Sequence, residues 1–149
     1  MQPSKFKFLF CAMRAIVYNV FGTADGLESV VVARPVIQPD EILVRVQAAA
    51  LNPIDYQIRR GRLRPFVRTK FPRIPGSDFS GIVKEVGEKV SGVVIEEEVF
   101  GMSKISVGGS FAEYMVIKPN EIAPKPNRLS HEEAASLPLA ALTSLQALR

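Results

Sequence analysis

The sequence predicts a mainly β domain with short helices, on three observations. Runs rich in Val, Ile and Tyr recur along the chain, and most of its eleven prolines and ten glycines fall between them. That punctuation suits a small barrel or a folded sheet. Residues 41–47 alternate cleanly, with Ile42, Val44 and Val46 on one side and Leu43, Arg45 and Gln47 on the other, the period of a strand with one wetter face. Only two places carry the chemistry of a helix start, at Asn52 and at Ser130.

Taken in order, Arg14–Val20 reads as a strand ending at Gly22, and Glu28–Ala33 as a second β-branched run closed by Arg34-Pro35. Glu41–Gln47 is the third. At Asn52 a capping side chain precedes Pro53, which suits the first helical position, and Asp55, which favours the positive end of the helix dipole. Gly61 is the expected stop. Phe79–Val86 and Glu98–Phe100 follow as strands, and Gly108-Gly109 signals a turn into a strand at Phe111–Ile117. Ser130 and Glu133 make a capping box. Leu137-Pro138 interrupts that helix, and Ala140–Leu148 resumes it with strong helix formers. The last segment has no cap, and Leu139, Leu142, Leu145 and Leu148 leave an apolar stripe to be covered.

Composition narrows the function classes. A chain of 149 residues with 47% apolar and 23% charged content is one soluble-type globular domain, not a disordered segment. The single Cys11 excludes an intramolecular disulfide framework and any multi-cysteine zinc site. It suits a reducing compartment, and a cytoplasmic location is expected. The net charge of +4 is modest, but Arg59, Arg60, Arg62, Arg64, Arg68, Lys70 and Arg73 run without an acid between them. Such a run can attract phosphates; as a solvated loop it needs no ligand. With only Phe66 and Phe71 interleaved, no nucleic-acid partner is expected. Nor is a membrane partner, since Phe8–Met13 is far shorter than the about 20 apolar residues a bilayer needs. Residues 1–12 read as an N-terminal extension.

Four motifs in order carry a resemblance: Ala50-Leu51-Asn52-Pro53-Ile54-Asp55, then Pro75-Gly76-Ser77-Asp78-Phe79-Ser80-Gly81-Ile82-Val83, then Gly109-Ser110-Phe111-Ala112-Glu113-Tyr114, then Ala134-Ala135-Ser136-Leu137-Pro138-Leu139. From Met13 onward the set resembles the N-terminal GroES-like catalytic domain of the medium-chain dehydrogenase/reductase superfamily, in its zinc-independent, zeta-crystallin-like quinone oxidoreductase branch. The resemblance implies a partly open GroES-like β-barrel over residues 13–136. Residues 137–149 would then begin a linker helix toward a Rossmann domain, whose Gly-x-Gly-x-x-Gly fingerprint the sequence does not contain.

It further implies an NADPH-dependent oxidoreductase passing hydride to quinones or α,β-unsaturated carbonyls, whose added charge delocalises into oxygen. In zinc-dependent relatives Cys, His and Glu stand where this chain has Asn52, Ser77 and Asp78, so no metal is expected. Asn52, Pro53 and Ile54 would line the nicotinamide end of the cleft, and Thr143 matches a threonine near the carboxamide. As residues alone, Asn52 is equally a helix cap and Thr143 a helix residue bonding a preceding carbonyl. Asp55 and Asp78 suit capping and ion pairing, and His131, the sole histidine, a surface first turn. Several zinc-free members carry a tyrosine where Leu63 stands, leaving Tyr56 as the nearest phenol to act on substrate. Glu96-Glu97 replaces a usual Gly-Asp turn. The family allows a homodimer in the longer form, and the isolated chain is expected to be inactive. Two other readings are a non-catalytic GroES-like binding module and, on the basic run alone, a nucleic-acid module.

Overall fold

The computed structural model describes residues 12–149, so the expected extension lies outside the described residues except for Ala12, which opens β1. β1 (Ala12–Val17) and β2 (Glu28–Ala33) form an antiparallel hairpin with Met13 opposite Val32 and Ala15 opposite Val30. The second sheet holds β3 (Ile42–Ala50), β4 (Asp78–Val86), β5 (Glu98–Met102), β6 (Tyr114–Ile117) and β7 (Ile122–Pro124) in the order β6-β3-β4-β5-β7. Every pairing is antiparallel. The domain is mainly β as expected, and its sheets stay open instead of closing into a barrel.

Ile42 and Val44 of β3, Phe79 and Val83 of β4, Val99 of β5 and Met115 and Ile117 of β6 pack into one core. A fully buried aliphatic or aromatic side chain contributes about 1.5–3 kcal/mol, so this cluster is a main source of the sheet's stability. The alternation in 41–47 is interrupted at its start: Leu43 is as buried as Ile42 and Val44, and solvent reaches the strand first at Arg45. The helix α2 (His131–Ala135) packs across β3 and β4, while Arg45 and Gln47 on the wetter side of the pattern stay exposed.

The expected strand at 111–117 splits. Its first residues run between the two sheets, with Ile16 N donating to Phe111 O at 2.8 Å, Glu113 N to Arg14 O at 3.0 Å and Val46 N to Glu113 O at 2.9 Å. That seam attaches the hairpin to β3. The first helix, α1 (Pro53–Arg59), ends two residues before Gly61, which takes φ +74°. Ser130 caps α2 as its box predicts, accepting the Glu133 amide while the Glu133 carboxylate accepts the Ser130 amide. Pro138 opens α3 (Pro138–Ala147).

Glu96 sits in the left-handed region at φ 70°, where an L side chain costs about 1–2 kcal/mol. Its carboxylate oxygens lie 2.6 and 2.8 Å from Lys84 Nζ, but the glutamate side is largely exposed and such a surface pair is worth about 0–1 kcal/mol. The substitution Glu96→Gly is therefore expected to raise unfolding free energy by about 0.5–1 kcal/mol in urea titrations. A loss of stability would show that the lysine pair outweighs the backbone strain.

A candidate active site around Asn52 and Asp78

The first turn of α1 carries most of the sequence-predicted site. Asn52 precedes it in an extended conformation, Pro53 is exposed, Ile54 is half-buried, and Asn52 and Asp55 face each other in a capping box. The Asp55 carboxylate accepts the Asn52 backbone amide at 2.8 Å, satisfying one of the orphan donors of the turn. The Asn52 side chain is not used up as a local cap: its Nδ2 donates to Asp78 Oδ2 at 3.0 Å.

Asp78 reaches this point because the preceding turn is tight. Gly76 takes φ +83°, and a Cβ there would run into Ser110 Oγ and the Phe111 ring, so only glycine fits. Asp78 then opens β4 with no solvent exposure. The same Oδ2 atom accepts the Leu139 backbone amide at 3.1 Å. One oxygen thus joins the Asn52 side chain, β4 and the N-terminal turn of α3, where a carboxylate is also favoured by the helix dipole. Asp78 Oδ1 is buried with no hydrogen-bond partner. Burial pushes the Asp78 carboxyl above the usual carboxylate range, opposed by the Leu139 and Asn52 donors. Burial likewise raises Asp55, helped by the nearby Asp78 and opposed by the Asn52 and Gly76 amides and by Arg73.

Thr143 lies one turn beyond Leu139 on α3, exposed and without a side-chain hydrogen bond among the described residues. Its neighbour Ser144 makes the bond to a preceding carbonyl, donating to Ala140 O at 2.9 Å. Tyr56 is one turn along α1 from Asn52 and 37% exposed, with the Arg60 guanidinium 5.6 Å from its ring centroid. The fold therefore brings Asn52, Pro53, Ile54 and Tyr56 onto one short helix and anchors the helix of Thr143 beside them. A zinc cage does not fit here. Asn52, Ser77 and Asp78 offer an amide, a buried hydroxyl and one carboxylate already engaged by two N–H donors, whereas zinc needs three or four N, S or carboxylate ligands at about 2.0–2.3 Å. Among the described residues no three His, Cys, Asp or Glu side chains cluster in ligating range.

The fold also reveals groups with no local sequence signal. Arg59 and Arg73, read from the run as loop cations, are buried: Arg59 Nη1 donates to Gly22 O at 2.8 Å, while Arg73 donates to Ser106 O and Ile105 O at 2.8 and 2.6 Å. Tyr18 is buried beside both, its hydroxyl unpartnered, and burial pushes its pKa up against the opposing charges of Arg73 and Arg59. His131 is not the solvent-facing residue that its first-turn position suggests. Ser80 Oγ donates to Val99 O at 3.0 Å, so its 2.8 Å contact with His131 Nδ1 is one in which the imidazole donates. His131 Nε2 faces Glu98 Oε1 at 3.6 Å, and Lys125 holds the other Glu98 oxygen at 3.1 Å. Only long-range strand pairing assembles that set.

Replacing Asp78 separates its roles. Asp78→Ala removes the acceptor from two donors and is expected to cost about 2–4 kcal/mol in urea unfolding. Asp78→Asn keeps an oxygen in place and should cost less than about 1 kcal/mol at neutral pH. Because the native carboxyls of Asp55 and Asp78 hold their protons to higher pH than the unfolded chain, folding takes up protons. Their contribution to stability then falls as pH rises from the ordinary carboxylate range through the raised native values. Stability measured across that window should decline less steeply in Asp78→Asn than in the parent chain.

Comparison with known proteins places this geometry. Residues 38–127 match the alcohol dehydrogenase GroES-like domain family. The chain is 43% identical over 137 residues to the chloroplastic quinone-oxidoreductase homolog of Spinacia oleracea, covering 91% of this chain and 42% of that protein. It is 38% identical over 143 residues to the 2-methylene-furan-3-one reductase of Solanum lycopersicum, covering 91% and 37%. The solved quinone oxidoreductase of Coxiella burnetii superposes with a TM-score of 0.83 at 38% identity, over 92% of this chain and 44% of that one. The chain spans about two fifths of the length of these relatives. With open antiparallel sheets, a site built from Asn52 and Asp78, and these matches, the chain belongs to the GroES-like domain family of the medium-chain dehydrogenase/reductase superfamily.

Proposed function

We infer that this chain forms one wall of an NADPH-dependent active site that reduces quinones or α,β-unsaturated carbonyls. The single observation that carries the reading is the shared Asp78 oxygen, which sets Asn52 and the start of the Thr143 helix side by side. A carboxamide needs both a donor and an acceptor, and the half-exposed Asn52 amide and the unpartnered Thr143 hydroxyl offer both. Asn52, Pro53, Ile54 and Thr143 would hold the nicotinamide end, with most other contacts made outside these residues. NADPH, when bound, supplies the hydride. Asp78 fixes the Asn52 amide in one orientation, so little ordering remains to be done when substrate arrives. Tyr56, exposed on the same helix, would give a proton to the substrate oxygen; a quinone can take that proton from water.

The relatives' names support the substrate class: one is a quinone-oxidoreductase homolog, another a 2-methylene-furan-3-one reductase, and a third, from Arabidopsis thaliana, an NADPH-dependent alkenal/one oxidoreductase. The cytoplasmic location rests on the lone thiol alone, since the spinach relative is named as chloroplastic, and no described helix is long and apolar enough to cross a membrane. A non-catalytic binding module is the second reading. Leu142, Leu145 and Leu148 are 43%, 48% and 87% exposed along α3, a face that a partner or second copy would cover; a monomer by light scattering counts against it.

The enzyme reading is tested by joining the chain to the part of the spinach relative that follows the matched residues. The fusion should oxidise NADPH with quinones and enones, keep its rate after chelation with EDTA, and lose tenfold or more in kcat/KM with Asn52→Ala. Tyr56→Phe should lower kcat for enones by about tenfold or more, leaving NADPH affinity intact. The chain alone should turn over none of them. A fusion that binds NADPH and reduces no quinone or enone overturns the reading.

A further inference from the structure

The basic run at 59–73 divides in the fold. Arg59 and Arg73 are buried and bound to carbonyls. Arg60, Arg62, Arg64, Arg68 and Lys70 are exposed, and none of the five forms an ion pair among the described residues. No Asp or Glu occurs between Asp55 and Asp78. Phe66 stands in their midst, 85% exposed. The segment is not a loose tether. Arg62 N donates to Gln57 O at 3.0 Å, and Phe66 N and Val67 N donate to Leu63 O at 2.9 and 2.8 Å. Val67 is buried at 4% exposure, so it anchors a compact run of turns that holds Phe66 outward.

Against the expectation of no membrane partner, which rested on the lack of a spanning segment, we propose that this loop docks the protein on an anionic lipid surface, its cations facing the headgroups while the Phe66 ring enters the interface. Cations near an anionic leaflet are attracted over about one Debye length, and an inserted aromatic ring adds a short-range contribution that salt does not screen. Phosphates of nucleic acid would attract the same cations, but single-strand readers stack successive bases on several free aromatics. Here Phe71 is engaged edge-on with Tyr18 and Phe21 at centroid distances of 5.8 and 5.0 Å, leaving one free ring for a surface to take up. The docking stands independently of the redox reading. Its consequence for catalysis rests on that reading: the loop begins where α1 ends, and Arg60 lies over Tyr56, so a docked loop holds the site beside a bilayer in which apolar quinones dissolve.

Sedimentation of the full chain with phosphatidylcholine vesicles, with and without phosphatidylserine, tests this. Binding should require phosphatidylserine and weaken at high salt. The triple variant Arg62→Gln, Arg68→Gln, Lys70→Gln should lose about a hundredfold in affinity, roughly fivefold per cation, with an unchanged melting temperature. Phe66→Ser should lose about tenfold at an unchanged salt dependence. The chain has no tryptophan, so Phe66→Trp reports directly, and its emission should shift to the blue on anionic vesicles only. Equal binding to neutral vesicles, full retention by the triple variant, an unshifted emission, or displacement from vesicles by duplex DNA at equal phosphate would each overturn the proposal. None of these readouts depends on turnover, so failure here leaves the enzymatic reading to its own assay.

Discussion

The Oδ2 atom of Asp78 accepts two hydrogen bonds from elements that lie 26 and 61 residues away in sequence, the Asn52 side chain and the Leu139 amide. That shared acceptor ties α1 directly to the first turn of α3, and with it the Asn52 side chain to the helix that carries Thr143. A buried carboxylate is costly to hold. The fold offsets the cost with two donors on one oxygen and the positive end of α3, while leaving Oδ1 without a partner. Charge and geometry at the site are therefore set by a single side chain whose ionised form the interior resists.

Asp78 is itself held by its surroundings. The left-handed Gly76 turn, closed against Ser110 and Phe111, aims the strand start inward. Arg73 knits the preceding segment to the carbonyls of residues 105 and 106 and pairs its own backbone with Tyr18, N to O at 3.0 Å in both directions. Two residues along the same face of β4, the Ser80–His131 contact and the approach of His131 to Glu98 tie the start of α2 to the sheet, close to where α3 begins. Asn52 and Asp78 thus serve as structural ties first. The proposed chemistry borrows their rigidity.

Much of this fold is legible in the sequence because its signals are local. The β-branched run at Glu28–Ala33 matches its strand residue for residue, and the Ser130 capping box forms as its spacing predicts. The motif at Pro75–Val83 marks a site because glycine and a buried acid sit together where a strand begins. What the sequence hides is long-range or compensated. β7 is three residues ending in Pro124, too short and too proline-bound to show strand periodicity. Arg59 and Arg73 look like their exposed neighbours until carbonyls 37 and 32–33 residues distant turn out to be their partners. His131 looks solvated because its helix position says nothing of Ser80, which only strand pairing brings beneath it.

Hydrogen exchange at the Leu139 amide tests the role of Asp78 most directly. An amide in the first turn of a helix has no intrahelical acceptor and ordinarily exchanges quickly. Bonded to a fully buried carboxylate, the Leu139 amide should instead be protected to nearly the same degree as the core amides of β4, and that protection should vanish in Asp78→Ala. Fast exchange in the parent chain, at the rate of an open first-turn amide, would contradict the account.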